Sequence, residues 1–558
     1  MQKWKSPLFI LFFAYFIISV ISVKWGIPSV DINNLYFYNS SSMEKHLEIM
    51  ESHTDDLPRS FYNPIRSYHP DEYFIIKSLS AMQPKKIDFN PGQYTVGGAY
   101  LYLVGFILFL LSRLNLIKLT TDMGFYFLNP DKIGVFYIVG RTITILYGLG
   151  IIFFSYLILK KLLKDRNDIF FTLLLLFFSP LMILNTVFMY VDIPGVFWVM
   201  ASLYATILLM EKFSFRRLFL AGVFAGLACG NKITFAVAFF IPLAGILLSN
   251  KNLKEIIKKM FIAFTGFILT FFITNPYFFL TFPTSVIELQ EHTTRIFSAG
   301  FYIDSLSYGL GAPLFIYVLI GLCSILVFFK QLAPHQKKIL LLSALWSVFF
   351  FLFISAFSKR FARYILPIVP PMIILGSVGW SKIHEHLKSN TGKNAIRIIS
   401  ILTICGTFIY GMSYTILFQQ ENIRTKAGIW IKKNIPLGSS IGITEVPWQL
   451  QMPPFDYYAY RLETTGYNIA ELKEKQPEYF LLSSFQAPIP PYPLRLQEER
   501  ISFYNGFIES GLYSEEKRFE KSPTFAGICF KAKQLPEDLI YLNPTIVVFK
   551  RQAGDKKD

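Results

Sequence analysis

His69-Pro70-Asp71-Glu72 sets two adjacent carboxylates in the polar stretch that follows the first long apolar run of the chain. A carboxylate within hydrogen-bond reach of a hydroxyl can take its proton, and a second acid beside it can orient a substrate or tune the base. The same pair also suits the first turn of a helix after a proline, where negative charge meets the positive end of the helix dipole. Spacing alone leaves both readings standing. His69 reads as either a substrate contact or a structural histidine, and Asp31, Asp55, Asp56 and Arg66 in the same stretch read as surface.

A third acid, Asp192, lies in Tyr190-Val191-Asp192-Ile193-Pro194-Gly195, a short turn between two apolar runs. An ionisable group at that depth is costly to desolvate and points to function. The competing reading is an N-cap for a helix beginning at Pro194. Lys232 follows Gly222, Gly226 and Gly230, whose four-residue repeat lets a second helix approach closely and would hold an ammonium at the membrane edge. Lys359, Arg360 and Arg363 cluster before Tyr364. Lys359 and Arg360 suit snorkelling to lipid headgroups, whereas Lys232 and Arg363 suit a specific lipid phosphate, which guanidinium groups bind in bidentate fashion. Asp71, Glu72 and Asp192 could together hold Mg²⁺ or Mn²⁺, but no dense carboxylate cluster and no Cys/His spacing demands a metal. The expectation is chemistry without metal or cofactor.

These residues need a membrane scaffold. The 558 residues are 53% hydrophobic and 16% charged, with 58 Phe, a composition foreign to soluble domains. Apolar runs of about 20 residues, enough to cross a hydrocarbon core of about 30 Å as helices, recur up to residue 420 and then stop. The first, Pro7 to Ile27, lacks a small-residue cleavage site and reads as a retained anchor. Basic clusters at 160–166, 212–217, 251–259, 330–338 and 382–393 fall on alternate connections, marking the cytoplasmic side. With residues 94–117 interfacial or re-entrant, the charge rule gives eleven crossings and an external C-terminus; with that run crossing, there are twelve and one cluster is misplaced.

Residues 421–558 hold 18 Lys and Arg against 17 Asp and Glu, so nearly all of the chain's +17 belongs to the membrane portion and reports topology, with no nucleic-acid partner implied. This tail predicts a small α/β domain, with a helix near Arg424 to Lys433 and strands at 439–444, 478–485, 525–532 and 544–550. Three of the four cysteines lie in apolar runs and Cys529 is alone in the tail, so no disulfide framework is implied. The fold class expected is an all-α polytopic bundle of about 11–13 transmembrane helices over 1–420, with the acidic motif on a first external loop at 28–93, and an external α/β domain over 421–558.

Taken in order, His69 to Glu72, Val139-Gly140-Arg141, the Tyr190 to Pro194 turn, Ala221-Gly222 to Gly230-Asn231-Lys232, Thr274-Asn275-Pro276-Tyr277 and Arg363-Tyr364 with two following prolines resemble the GT-C glycosyltransferases. The branch of protein O-mannosyltransferases and bacterial lipid A aminoarabinose transferases is the nearest match. The resemblance covers about residues 1 to 420 and implies inverting transfer of a sugar from a polyprenyl-phosphate donor to a lipid, glycan or protein at the outer face of the membrane. It assigns the base to Asp71, orienting roles to Glu72 and Asp192, and the donor phosphate to Lys232, Arg363 and Arg141, with His69 and Tyr364 as substrate contacts. It implies a bacterial inner membrane with the site and tail on the periplasmic side. A transporter or flippase of lipid-linked sugars is the alternative, against which stands the gathering of ionisable residues at one membrane face rather than at the midplane.

Overall fold

A computed structural model describes residues 5–52, 64–291, 294–445, 450–490, 496–531 and 535–552. Asp55 and Asp56 lie outside these residues. The chain forms two compact units, one of residues 1–23, 74–111 and 139–415, the other of residues 24–73, 112–138 and 416–558.

The first unit is helical. Among the described residues seven helices are long and apolar enough to cross a membrane, and the bent pair Arg166–Phe178 and Pro180–Thr186 adds an eighth. Pro7–Ile21, Gly98–Arg113 and Ile233–Ser249 are shorter apolar helices. Gly98–Arg113, inside the run expected to be interfacial or re-entrant, is one unbroken helix of 16 residues, about 24 Å long. The chain is thus an integral membrane protein of mostly helical build.

Sequence spacing dictates the tightest helix pairs. Gly222, Gly226 and Gly230 of the Phe215–Asn231 helix face Ala263, Phe267 and Thr274 of the Leu253–Thr274 helix, and a Cβ at Gly222 would meet the Ala263 carbonyl at 1.9 Å. Gly266 answers from the other side, where a Cβ would lie 2.6 Å from the Phe219 carbonyl. The close approach expected from the four-residue repeat is present. Gly321, Gly376 and Gly379 make a second such contact.

All five basic clusters meet at one end of this unit. Lys161 pairs with Glu211 at 2.7 Å, Gln336 donates to the Leu162 carbonyl at 2.8 Å, Lys259 lies 4.4 Å from the Phe213 ring, and His386 bonds Gln331. The five clusters expected to share one side of the membrane thus lie at one end of the helical unit. The Asp192–Glu211 helix has 20 residues, roughly 30 Å or one hydrocarbon thickness, so Asp192 stands at the opposite end. Lys232, Asn275 and Arg363 stand there too, each at the far end of a helix that begins or ends among the basic clusters.

The second unit is built on a five-stranded sheet ordered β2-β1-β3-β7-β4, with β1 Ser440–Ile443, β2 Arg461–Thr464, β3 Tyr479–Ser483, β4 Tyr513–Phe519 and β7 Ile546–Arg551. β2, β1 and β3 are parallel, and β7 runs antiparallel to β3 and β4. Short β5 Thr524–Phe525 and β6 Ile528–Cys529 form a separate pair. The helix expected near Arg424 is Ile423–Asn434. It buries Ile431 against Ile441, Ile443, Leu481 and Val548, together with Tyr36 and Phe37 from the polar stretch after the first apolar run. Tyr38 completes that attachment, its backbone N–H donating to Asp456 at 2.7 Å.

Candidate functional site

The acidic motif belongs to the second unit, where its two carboxylates live differently. Glu72 is fully buried and opens the Glu72–Ala81 helix, its carboxylate taking a 2.5 Å hydrogen bond from the Ser67 hydroxyl. Asp71 is half-buried, and its backbone N–H donates to His69 Nδ1 at 3.3 Å. His69 is itself buried, its ring edge-on to Tyr541 at 5.3 Å. The motif is clamped by its neighbours: Tyr68 N–H donates to the Gly26 carbonyl at 2.8 Å, the Tyr68 hydroxyl meets Thr425 at 3.1 Å, and Tyr137 donates to the Ile65 carbonyl at 2.7 Å. Burial pushes the Tyr68 hydroxyl up to about 12, so it stays neutral at physiological pH. Arg66 departs from the surface reading. It is largely withdrawn from water with its guanidinium 4.2 Å from the Tyr73 ring, and burial pushes its pKa down.

The second set of residues is brought together in the first unit. Asp192 is buried, and its Oδ1 receives Lys232 Nζ at 2.9 Å while Oδ2 faces Arg363 Nε at 3.4 Å. The N-cap reading of Asp192 fails: the helix begins at Asp192 itself, Val191 holds the cap position, and the carboxylate turns to the two cations. Aromatic rings complete the nest, with Tyr364 at 3.8 Å from the Lys232 ammonium and Phe361 at 4.0 Å from the Arg363 guanidinium. Tyr190 lies 5.9 Å from both cations. Asp192 thus draws an ammonium and a guanidinium together in a low-dielectric setting, where charge-assisted contacts are strong. Arg141 is fully buried and donates Nη1 to the Val23 carbonyl at 2.7 Å, its guanidinium 5.7 Å from the Phe188 ring. Arg360 is exposed and bonds the Ser358 carbonyl, in keeping with an interfacial side chain.

Each charged group is placed by local backbone. Lys232 stands where the Phe215–Asn231 helix stops and the 3₁₀ segment Ile233–Phe239 begins. Arg363 sits in a second 3₁₀ segment, Ala362–Ile368, whose Pro367 cannot donate to a helical ladder. Such tight turns re-aim side chains at the end of a span while keeping backbone groups bonded. Ser67 and Tyr541, which brace the acidic motif, and Phe361 were not legible, because a serine five residues before an acid and a remote tyrosine form no recurring pattern. Among the described residues no three of His, Cys, Asp and Glu gather at metal-holding distance.

Residues 133–279 match the dolichyl-phosphate-mannose-protein mannosyltransferase family. The match spans about a quarter of the chain and takes in Arg141, Asp192, Lys232 and Asn275, four of the residues that carry the resemblance read from the sequence. No curated protein is a significant match. Among solved structures, the chain is similar to the Archaeoglobus fulgidus oligosaccharyltransferase AglB in complex with an inhibitory peptide and a dolichol-phosphate, at 11% identity and a TM-score of 0.47 over 97% of this chain and 77% of that one. It is similar to ArnT from Cupriavidus metallidurans bound to undecaprenyl phosphate, at 14% identity and a TM-score of 0.43 over 97% of each chain. The mycobacterial arabinofuranosyltransferase AftD shows 10% identity and a TM-score of 0.41 over 100% of this chain and 42% of that one. These likenesses are remote.

Proposed function

We propose that the protein is an inverting glycosyltransferase that moves a sugar from a polyprenyl-phosphate donor to a lipid, glycan or protein acceptor at the periplasmic face of a bacterial inner membrane. The observation that carries this reading is the Asp192, Lys232 and Arg363 cluster, which gathers two cations at one carboxylate at the bundle end opposite the basic connections. The matched family, named for dolichyl-phosphate mannose, supports a donor of that chemistry. Basic connections favour the cytoplasm, which supports an external position for the nest.

In this mechanism the acceptor hydroxyl oxygen attacks the anomeric carbon and gives its proton to Asp71, the more exposed acid of the motif. The bond from the anomeric carbon to the phosphate oxygen breaks, and its electron pair leaves with the polyprenyl phosphate. Lys232 and Arg363 stabilise the charge growing on that phosphate, each such donor being worth about 10²- to 10³-fold in rate. Arg141 is the third cation assigned to the donor phosphate. Asp192 orients the two cations, Glu72 holds the motif in shape, and His69 and Tyr364 contact substrate. No step calls for a metal or cofactor.

The test is mass-resolved turnover of defined polyprenyl-phosphate sugars by purified wild type, Asp71→Asn and Lys232→Ala in detergent, with membrane extract as acceptor source. Glycosylated product from wild type, lost in both variants, is the expected result. Full transfer by a folded, donor-binding Asp71→Asn protein would sink the assignment of the base. Donor movement across vesicles without glycosylated product would favour a transporter of lipid-linked sugars instead.

A further inference from the structure

Lys232 takes its direction from an extended backbone. It leaves its helix at φ −156° and ψ 128° and pairs with Val96 in an antiparallel bridge. Gly97 N–H donates to the Asn231 carbonyl at 2.8 Å, and Ile233 N–H to the Thr95 carbonyl at 3.4 Å. A glycine is needed for this approach, since a Cβ at position 97 would lie 2.0 Å from the Gly230 carbonyl oxygen. The direction of the ammonium therefore depends on a stretch of chain more than a hundred residues earlier.

That stretch is held from two sides. Asn275 accepts the Gly98 N–H at 2.7 Å and donates to the Gly230 carbonyl at 3.3 Å, tying residue 98 to the end of the Lys232 helix. Glu288, on the Thr284–Glu291 helix, accepts the Tyr94 N–H at 3.0 and 3.1 Å, the Thr95 N–H at 3.0 Å and the Thr95 hydroxyl at 2.7 Å. Its hydrogen bonds among the described residues all go to these two consecutive residues. A carboxylate committed to adjacent backbone amides makes strong, charge-assisted bonds that fix a loop in one conformation. Neither the acidic motif nor the Asp192 nest uses this carboxylate.

We propose that Glu288 is a positioning residue for Lys232: it locks Tyr94 and Thr95, these set the two-bond ladder on either side of Lys232, and the ladder aims the ammonium at the donor phosphate. The proposal rests on the reading of Lys232 as a phosphate-binding group. Misplacing a charged group by about 1 Å costs on the order of 10²-fold in a preorganised site. Loss of one carboxylate contact is gentler, so about a tenfold loss of phosphate affinity is expected, carried by the donor KM more than by kcat.

The experiment uses the full chain purified in detergent, as wild type, Glu288→Gln, Glu288→Asp and Lys232→Ala. Hydrogen exchange is followed at 94–98 and 230–233, and the binding of undecaprenyl phosphate is measured on the same samples. Glu288→Gln should speed exchange in both segments and weaken binding about tenfold, with Glu288→Asp between it and wild type. Faster exchange at 94–98 alone, or weakened binding in Lys232→Ala but not in Glu288→Gln, would overturn the positioning role while leaving the function reading intact. Unchanged binding in Lys232→Ala would bring down the phosphate reading itself, and the positioning role with it. If Glu288→Gln does not fold, Thr95→Ala, which removes only the 2.7 Å hydroxyl bond, is read in its place.

Discussion

The acids of the His69 to Glu72 motif divide by exposure, and that division is testable one residue at a time. Glu72 is sealed beneath Ser67, and removing a buried partner of this kind costs about 1–3 kcal/mol. Glu72→Ala should therefore lower the melting temperature in detergent by several degrees. Asp71→Ala should leave melting nearly unchanged and lower kcat by about 10²- to 10⁴-fold, the usual worth of a positioned base. Thermal melts and initial rates on the two proteins check both outcomes, and equal effects on stability would erase the distinction. The sequence could offer the adjacent acids but not their difference, because burial of Glu72 comes from residues that fold over it. Asp192 was legible for the opposite reason: an acid between two spans must find a partner or a role, and it found Lys232 and Arg363.

At the scale of elements, the glycine repeat was the most readable feature of the chain, since a four-residue spacing of glycines along one helix permits little besides close helix contact. Gly222→Ala should push the Phe215–Asn231 and Leu253–Thr274 helices apart, because its Cβ would land 1.9 Å from a backbone oxygen. Overpacking against backbone costs about 1–3 kcal/mol, and transfer activity should fall with it as Lys232 shifts. Gly300→Ala, with nothing within 4 Å of its Cβ, should melt at or slightly above wild type, helix propensity favouring alanine by up to about 1 kcal/mol. Melting curves of the pair measure the contrast. Within the five-stranded sheet, strands were legible only where both faces are covered, and the single strand expected at 525–532 is instead the short, largely exposed pair β5 and β6. β1, β3 and β7, with buried Ile441, Leu481 and Val548, were expected near their observed positions. β2 and β4 were missed, and they are the two edges of the sheet. Tyr513-Ser514-Glu515-Glu516-Lys517-Arg518-Phe519 carries charges where an edge faces water, which protects against pairing with other chains and hides the strand from an apolar pattern.

For the molecule as a whole, charge sorts the connections of the helical unit because the cost of desolvation acts on every connection alike. The gathering of five basic clusters at one end of the helical unit predicts that cysteines introduced at Lys164, Lys251 and Lys388 in a cysteine-free background react with an impermeant thiol reagent only after the membrane is opened from the cytoplasmic side. A cysteine at Ser510 in the sheet domain should react in intact spheroplasts. Labelling from the reverse sides would invert the topology and overturn the proposed periplasmic placement of the site. What charge and hydropathy could not reveal is which distant pieces of chain share one unit, since such partnerships depend on surfaces that exist only after folding.

The sheet unit draws on residues 24–73 as well as on 416–558, and Tyr36, Phe37 and Tyr38 reach their partners Ile431, Tyr460 and Asp456 only there. During synthesis at about 5–20 residues per second, the acidic motif must therefore wait tens of seconds for the segment that braces it. Throughout that interval several helices are already being inserted while the loop that carries the acidic motif is without those partners. A chain cut off before residue 416 would keep the helical unit but lack the residues that brace the acidic motif.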